Sequence, residues 1–175
     1  ISGDGSLSVT GKYKHAIAGD DDIIIRSGNL TVAATKDGVH ANDNITVIGG
    51  TIQVTQANDG FESEGTFDVE GGTFRLSVAD DGLVGADTFT INGGTIDVTK
   101  GVEGIESKNN LIINDGDITI AVSDDGLNAS NDITINDGRI YINATADAVD
   151  SNGSLHINGG VVVAPAVRPS LDAGD

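Results

Sequence analysis

Carboxylates recur through this chain at one fixed spacing. Asp37, Asp59, Asp81, Glu103, Asp125 and Asp147 lie 22 residues apart, each directly before a Gly or Ala. Asn58, Asp80 and Asp124 precede three of them, and Glu62, Glu106, Asn128 and Asp150 follow three residues after four of them. If a 22-residue unit stacks on itself, these positions form columns along one edge, pointing outward, with a repeat of about 4.8 Å. At that separation and an effective dielectric near 20, neighbouring carboxylates repel by roughly 3 kcal/mol before salt screening. Only His15, Lys36, Lys100 and Lys108 fall near the ladder in this frame, too few to offset it. Such a ladder either splays into water at ordinary Asp-Gly turns or holds hard cations between rungs. Carboxylate, Asn amide and backbone carbonyl oxygens supply the roughly six to eight ligands that calcium takes, so several Ca2+ ions are expected. Zinc suits the chain less, because Cys is absent and the three His, at 15, 40 and 156, show no pairing. Nine-residue GGxGxD calcium repeats are absent too.

The elements that would position this ladder follow from the same period. After each repeat Gly or Ala comes an apolar residue, in order Val39, Phe61, Leu83, Ile105, Leu127 and Val149, and two residues further a small one. An alternating pair follows (Ile45 and Val47, Phe67 and Val69, Phe89 and Ile91), then an NGG or NDG turn such as 92–94 or 114–116. A second alternating pair comes next (Ile52 and Val54, Ile96 and Val98), and an Asp-Gly turn closes most units. Alternation between Gly turns predicts short strands with one face buried: a short one after Asp-Gly and two longer ones flanking the NGG turn. A unit this small cannot bury its apolar face alone, so copies must stack. The expected fold is all-β, a single-stranded parallel β-helix of 22-residue rungs, right-handed because parallel crossovers overwhelmingly are. Phe61, Phe67, Phe74 and Phe89 fall on inward positions, and Asn92, Asn114, Asn136 and Asn158 form a column whose amides can ladder.

Composition narrows the function. The chain has 175 residues and a formal charge of −18, which disfavours nucleic-acid and anionic-membrane partners. The longest apolar run, around Val161–Val163, is far short of the roughly 20 residues of a spanning helix. Residues 1–175 are expected to form one β-helix domain. With no Met at position 1 and a partial rung at 170–175, they are expected to belong to a longer chain.

The runs DGSLSVTGKYKHAI at 4–17, DDGLNASNDITINDG at 124–138 and SLHINGG at 154–160 resemble the secreted carbohydrate-binding β-helix family of cellulolytic clostridia. The resemblance extends over nearly the whole chain. It implies a bacterial protein of the cell surface or exterior that binds cellulose and polygalacturonate and carries calcium on a helix like that of pectate lyases. Family nine pectate lyases hold catalytic calcium with a paired Asp and a third acid three residues after the second. On that pattern Asp124, Asp125 and Asn128 match with Asn replacing the third acid, Asp80 and Asp81 match the pair with Val84 third, and Asp147 and Asp150 match two of three. This supports metal binding more than catalysis.

Three functions remain on these residues. As a binder of plant cell-wall polysaccharide, the acidic edge would meet uronate through bridging calcium. Tyr141 shares a column with Gln53, Arg75, Asp97 and Thr119, making Arg75 and Tyr141 the candidate sugar contacts. A broad aromatic platform for cellulose is missing, since only Tyr13 and Tyr141 lie outside the core pattern. As a calcium-dependent lyase, the chain would need a neutral base, and Lys108 is the candidate. Its acidic neighbours would keep it protonated. As a solenoid spacer of an adhesin it would bind no sugar. The non-catalytic binder is the expectation, with oligomeric state left open.

Overall fold

A computed structural model describes residues 1–122, 124–165 and 171–173. The chain winds into a parallel β-helix built from three sheets, and no helix occurs among the described residues. One sheet holds eight strands that follow the NGG-type turns: Ser6–Gly11, Asn29–Ala34, Thr51–Gln56, Thr73–Ser77, Thr95–Lys100, Asp117–Ala121, Arg139–Asn143 and Val161–Val163. A second sheet holds the eight strands after the Asp-Gly corner, from Ile17–Gly19 through Phe61–Ser63 and Ile105–Ser107 to Leu171–Ala173. The third has seven, from Ile23–Ile25 to Leu155–Ile157. Strands pair with the equivalent strand 22 residues away, as in Leu83 beside Phe61 and Ile105. Within the expected partial rung at 170–175, Leu171–Ala173 pairs with Val149–Ser151. Residues 170 and 174–175 of that rung lie outside the described residues.

One expectation is corrected. The strand before the NGG turn is no longer than the one after Asp-Gly: both span three residues, and only the strand after the turn reaches five or six. Corners on both sides set this limit. At the corner before it, Ser63 is buried and its hydroxyl sits 2.8 Å from the carbonyls of both Asp43 and Thr66, and Ser107 and Ser151 repeat the arrangement. At the turn after it, the last glycine holds a positive φ, as at Gly50 (105°), Gly94 (97°) and Gly138 (108°), where other residues are strained. The Asn ladder forms as expected: Asn114, Asn136 and Asn158 each donate Nδ2–H to Oδ1 of the Asn one rung back, at 2.7–2.8 Å.

In the inner rungs, alternation puts every second residue of the long strands inside. Phe61, Phe67, Phe74 and Phe89 are fully buried. Phe67 and Phe89 stack one rung apart, with ring centroids 4.4 Å apart and planes 9° from parallel. Phe61 packs edge-on against Phe74 at 5.9 Å. This core is continuous along the helix, so each rung is held by its neighbours.

A candidate cation trough and a polar strip

The acidic column is built by the backbone of the Asp-Gly corner. Gly38, Gly60, Gly82, Gly104 and Gly126 each donate their N–H to the carbonyl of the acid one rung on, at 2.9–3.0 Å. The rungs come so close that a Cβ on Gly38 would lie 2.6 Å from the Gly60 carbonyl, and one on Gly82 would collide with the Gly104 carbonyl. Glycine is therefore needed at these five corners, while the corner after Asp147 carries Ala148, and the acid beside each is fixed in register. Its carboxylate also accepts a backbone N–H from the next rung: Asp81 to Asp59 Oδ1 at 3.0 Å, Glu103 to Asp81 Oδ1 at 3.2 Å, and Asp147 to Asp125 Oδ1 at 2.8 Å.

These bonds overturn the outward ladder expected from spacing alone. The carboxylates turn along the stack to satisfy backbone donors that would otherwise be unpaired. Asp37 is fully buried, Glu106 is 7% exposed, and Asp59, Asp81 and Glu103 are partly buried. The result is a half-buried trough. Desolvation penalises ionised carboxylates there. Burial pushes Asp81 up to about 7, with the charges of Glu103 and Asp80 adding to it. Burial likewise raises Glu103 to about 7, helped by Glu106. Asp59 and Asp125 are raised for the same leading reason.

Carboxylate oxygens of Asp59, Asp80 and Asp81 lie within 4.8 Å of one another, and so do those of Asp81, Glu103 and Glu106. Asn58 Nδ2 joins the first group, donating to Asp59 at 3.3 Å and to Asp80 Oδ2 at 3.4 Å. In the second, Glu103 Oε2 is buried without a hydrogen-bond partner. That donor set, oxygens only with one left unsatisfied, fits a hard divalent cation. Lys108 pairs with Glu106. Burial works against its charge, but Glu106, with Glu103 and Asp81 behind it, holds the Lys108 ammonium above its usual range.

Further along the stack the arrangement loosens. Asn128 Nδ2 donates to Glu103 Oε1 at 3.1 Å. Among the described residues, Asp124, Asp125, Asp147 and Asp150 belong to no group of three acids or histidines within 4.8 Å. Lys100 is exposed and makes no ion pair among the described residues, unlike Lys36 and Lys108.

The trough's first rungs hold what the sequence did not reveal. His15 and His40 stack, with ring centroids 4.3 Å apart and planes 21° from parallel, so two of the three histidines are paired after all. Their register was available: His15 lies 22 residues before Asp37, and His40 lies 22 before Glu62. Around them, His15 Nδ1, Lys36 Nζ and His40 Nδ1 approach Asp37 Oδ2 at 2.9, 3.1 and 3.5 Å. Burial raises Asp37 to about 7, with its bond to Glu62 adding to this. Glu62 is lowered against its own burial by Asp37, Lys36 and His40. Of the two acids, Asp37, the more buried one, is therefore the harder to ionise.

On the outer face of the long-strand sheet, the expected strip exists. Gln53, Arg75, Asp97, Thr119 and Tyr141 stand in one column. Arg75 is engaged by Asp97. Tyr141 is 46% exposed and lines a shallow recess with Asp117, Thr119, Arg139 and Val163. Tyr13 stands almost fully exposed at the first rung, away from this strip.

The described residues thus form a three-sheet parallel β-helix carrying a carboxylate trough and a separate polar sheet face. The chain belongs to the family of carbohydrate-binding domain-containing proteins, whose model matches residues 1–168. Comparison with curated proteins and with solved structures gives no match. The family establishes a carbohydrate-binding β-helix with a polysaccharide partner in general terms, and it favours binding over catalysis. No helix among the described residues is long and apolar enough to cross a membrane.

Proposed function

We propose that the chain is a non-catalytic, extracellular module that binds acidic plant cell-wall glycan through calcium held in its trough. The single observation that carries this reading is the Asp81, Glu103 and Glu106 group, three carboxylates within 4.8 Å with Glu103 Oε2 unsatisfied. Asp81, Glu103 and Glu106, with Asp80 beside Asp81 and with Asn58 and Asp59 one rung back from these, would hold the ions. Bound calcium supplies positive charge where the trough alone would repel a uronate. The protein's part is to fix the oxygens at the rung spacing. Cellulose is less well served, because Tyr141 stands without a second exposed aromatic on its strip.

Lyase chemistry is disfavoured by Lys108. β-Elimination needs a base that is neutral at working pH, and the pairing with Glu106 holds this ammonium charged.

Affinity electrophoresis through polygalacturonate, together with cellulose pull-down, tests the reading in calcium and in chelator. Retardation by polygalacturonate in calcium and its loss in chelator is the expected result. Retention on cellulose alone, indifferent to chelator, would move the site to the Tyr141 strip. No retention on either would leave a spacer, and release of unsaturated uronate would make the chain an enzyme.

A further inference from the structure

The first rungs of the trough differ in chemistry from the rest, and we infer that they form a separate site for a borderline first-row divalent cation such as zinc, held by His15, Asp37 and His40 with Glu62 as fourth ligand. One donor atom each from His15, Asp37 and His40 lies within 4.8 Å of the others, and His40 Nδ1 is 2.9 Å from Glu62 Oε2. Two nitrogens with carboxylate oxygens are a zinc or cobalt donor set, whereas calcium takes oxygens only.

Two features inside the cluster point to a ligand. His15 Nδ1 lies 2.9 Å from Asp37 Oδ2 at an angle that makes no hydrogen bond. That nitrogen and Asp37 Oδ1 are both buried without a hydrogen-bond partner, on side chains 10% and 0% exposed. His40 has the complementary problem. Both its ring nitrogens face acceptors: Nε2 is 3.2 Å from Asn42 Oδ1, and Nδ1 faces Glu62 Oε2. A neutral imidazole has one N–H. With that hydrogen donated to Asn42, the Nδ1 lone pair confronts an oxyanion, and a metal ion between them relieves the contact. Donation of the remote ring N–H to an amide oxygen is also how ligating histidines are held in their tautomer.

Lys36 is the internal competitor. Its ammonium shares Asp37 Oδ2 and Glu62 Oε2, at 3.1 and 3.4 Å, with the proposed ion. The side chain is 49% exposed, so it can swing into water when the ion binds. None of these ligands belongs to the two all-oxygen groups assigned to calcium, although Asp37 and Glu62 lie within 4.8 Å of Asp59, and measuring Zn2+ in excess Ca2+ separates the two sites.

The test is calorimetric titration of Zn2+ into the chelator-stripped chain in excess Ca2+, with Co2+ as a spectroscopic probe. One saturable Zn2+ site is expected, with the intense visible bands of four-coordinate cobalt. His15→Asn or His40→Asn should weaken it more than about 100-fold, beyond the loss of an outer-shell partner. Lys36→Met should tighten it by on the order of tenfold, the worth of one charge-assisted hydrogen bond. Asp81→Asn should leave it unchanged. Absence of Zn2+ binding, its displacement by excess Ca2+, or indifference to the histidine substitutions would overturn the proposal. If the histidine variants fail to fold by circular dichroism, an unchanged affinity in Lys36→Met overturns it instead.

Discussion

Asp59 Oδ1 accepts the backbone N–H of Asp81, one rung along, at 3.0 Å. The same side chain therefore closes the stack with one oxygen and offers the other to the trough. Glu103 repeats the relationship by donating its N–H to Asp81 Oδ1 at 3.2 Å. Fold and candidate site are thus made by one hydrogen-bond pattern, and changes at the corner divide into those that break the stack and those that alter only its charge.

Gly82→Ala belongs to the first kind. Its Cβ would collide with the Gly104 carbonyl and sit 3.0 Å from Val98 Cγ2. A loss of about 1–3 kcal/mol, the cost of overpacking, is expected in urea unfolding. Gly5→Ala is the control, since nothing lies within 4 Å of a Cβ there. Equal stability of the two variants would refute the close approach of the rungs.

Asp81→Asn belongs to the second kind. The amide oxygen can still accept the Glu103 N–H, while the charge pressed between Asp59, Asp80 and Glu103 disappears. In chelator the melting temperature should rise, by roughly 2–4 °C if the relief is ~1 kcal/mol. The further rise that calcium gives the parent chain should shrink. An undiminished calcium response would remove Asp81 from the ion site.

The period of 22 was sufficient to read the three sheets, the four-phenylalanine core and the Asn ladder, because buried strands select side chains by alternation and stacking aligns equals. The depth of the acidic column was not readable, since it depends on which way Asp59 and Asp81 turn to meet backbone donors. Nor was the contact of His15 with His40 apparent from a separation of 25 residues. They occupy adjacent columns of adjacent rungs, and only the strand register converts that separation into a stacked pair.

Without calcium, the parent chain should become more stable as pH falls from 8 toward 5. Asp37, Asp81 and Glu103 titrate at about 7 in the folded chain, against 3.8 for Asp and 4.5 for Glu when unperturbed. Between those limits the folded state keeps protons that the unfolded state has released, so stability is lost as pH rises through the window. His15, lowered from 6.5 by burial, opposes this below its unfolded value, and Glu62, lowered from 4.5, opposes it only below about 4.5. Calcium, by favouring the ionised carboxylates, should flatten the profile. Thermal melts across pH in chelator and in calcium check both, and a melting temperature that falls on acidification from 8 to 5 in chelator would contradict the burial of the trough.

Phe67→Ala should cost about 3–5 kcal/mol, the range for emptying a buried aromatic site. Phe67 stacks on Phe89 and lies 5.9 Å from Phe61, with no exposed surface. Because rungs depend on their neighbours, the loss should loosen the middle of the stack first. Hydrogen exchange should speed up at Phe89 and Phe61 before the terminal rungs, and a uniform change along the chain would argue against rung-by-rung coupling.

Tyr141→Ala separates the two faces of the molecule. Tyr141 is 46% exposed on the long-strand sheet, between Thr119 and Val163 in its column, while the trough runs along the Asp-Gly corners. Removing an exposed ring should shift stability by no more than about 0.5 kcal/mol, so any large effect on binding is local. If acidic glycan binds at the trough, retardation by polygalacturonate in calcium should be unchanged in this variant and abolished in Asp81→Asn. If the recess of Asp117, Arg139 and Tyr141 holds the sugar instead, Tyr141→Ala should lose retention, since a stacked ring is the main apolar contact that recess offers. Running both variants on one gel, with and without chelator, decides which face carries the binding.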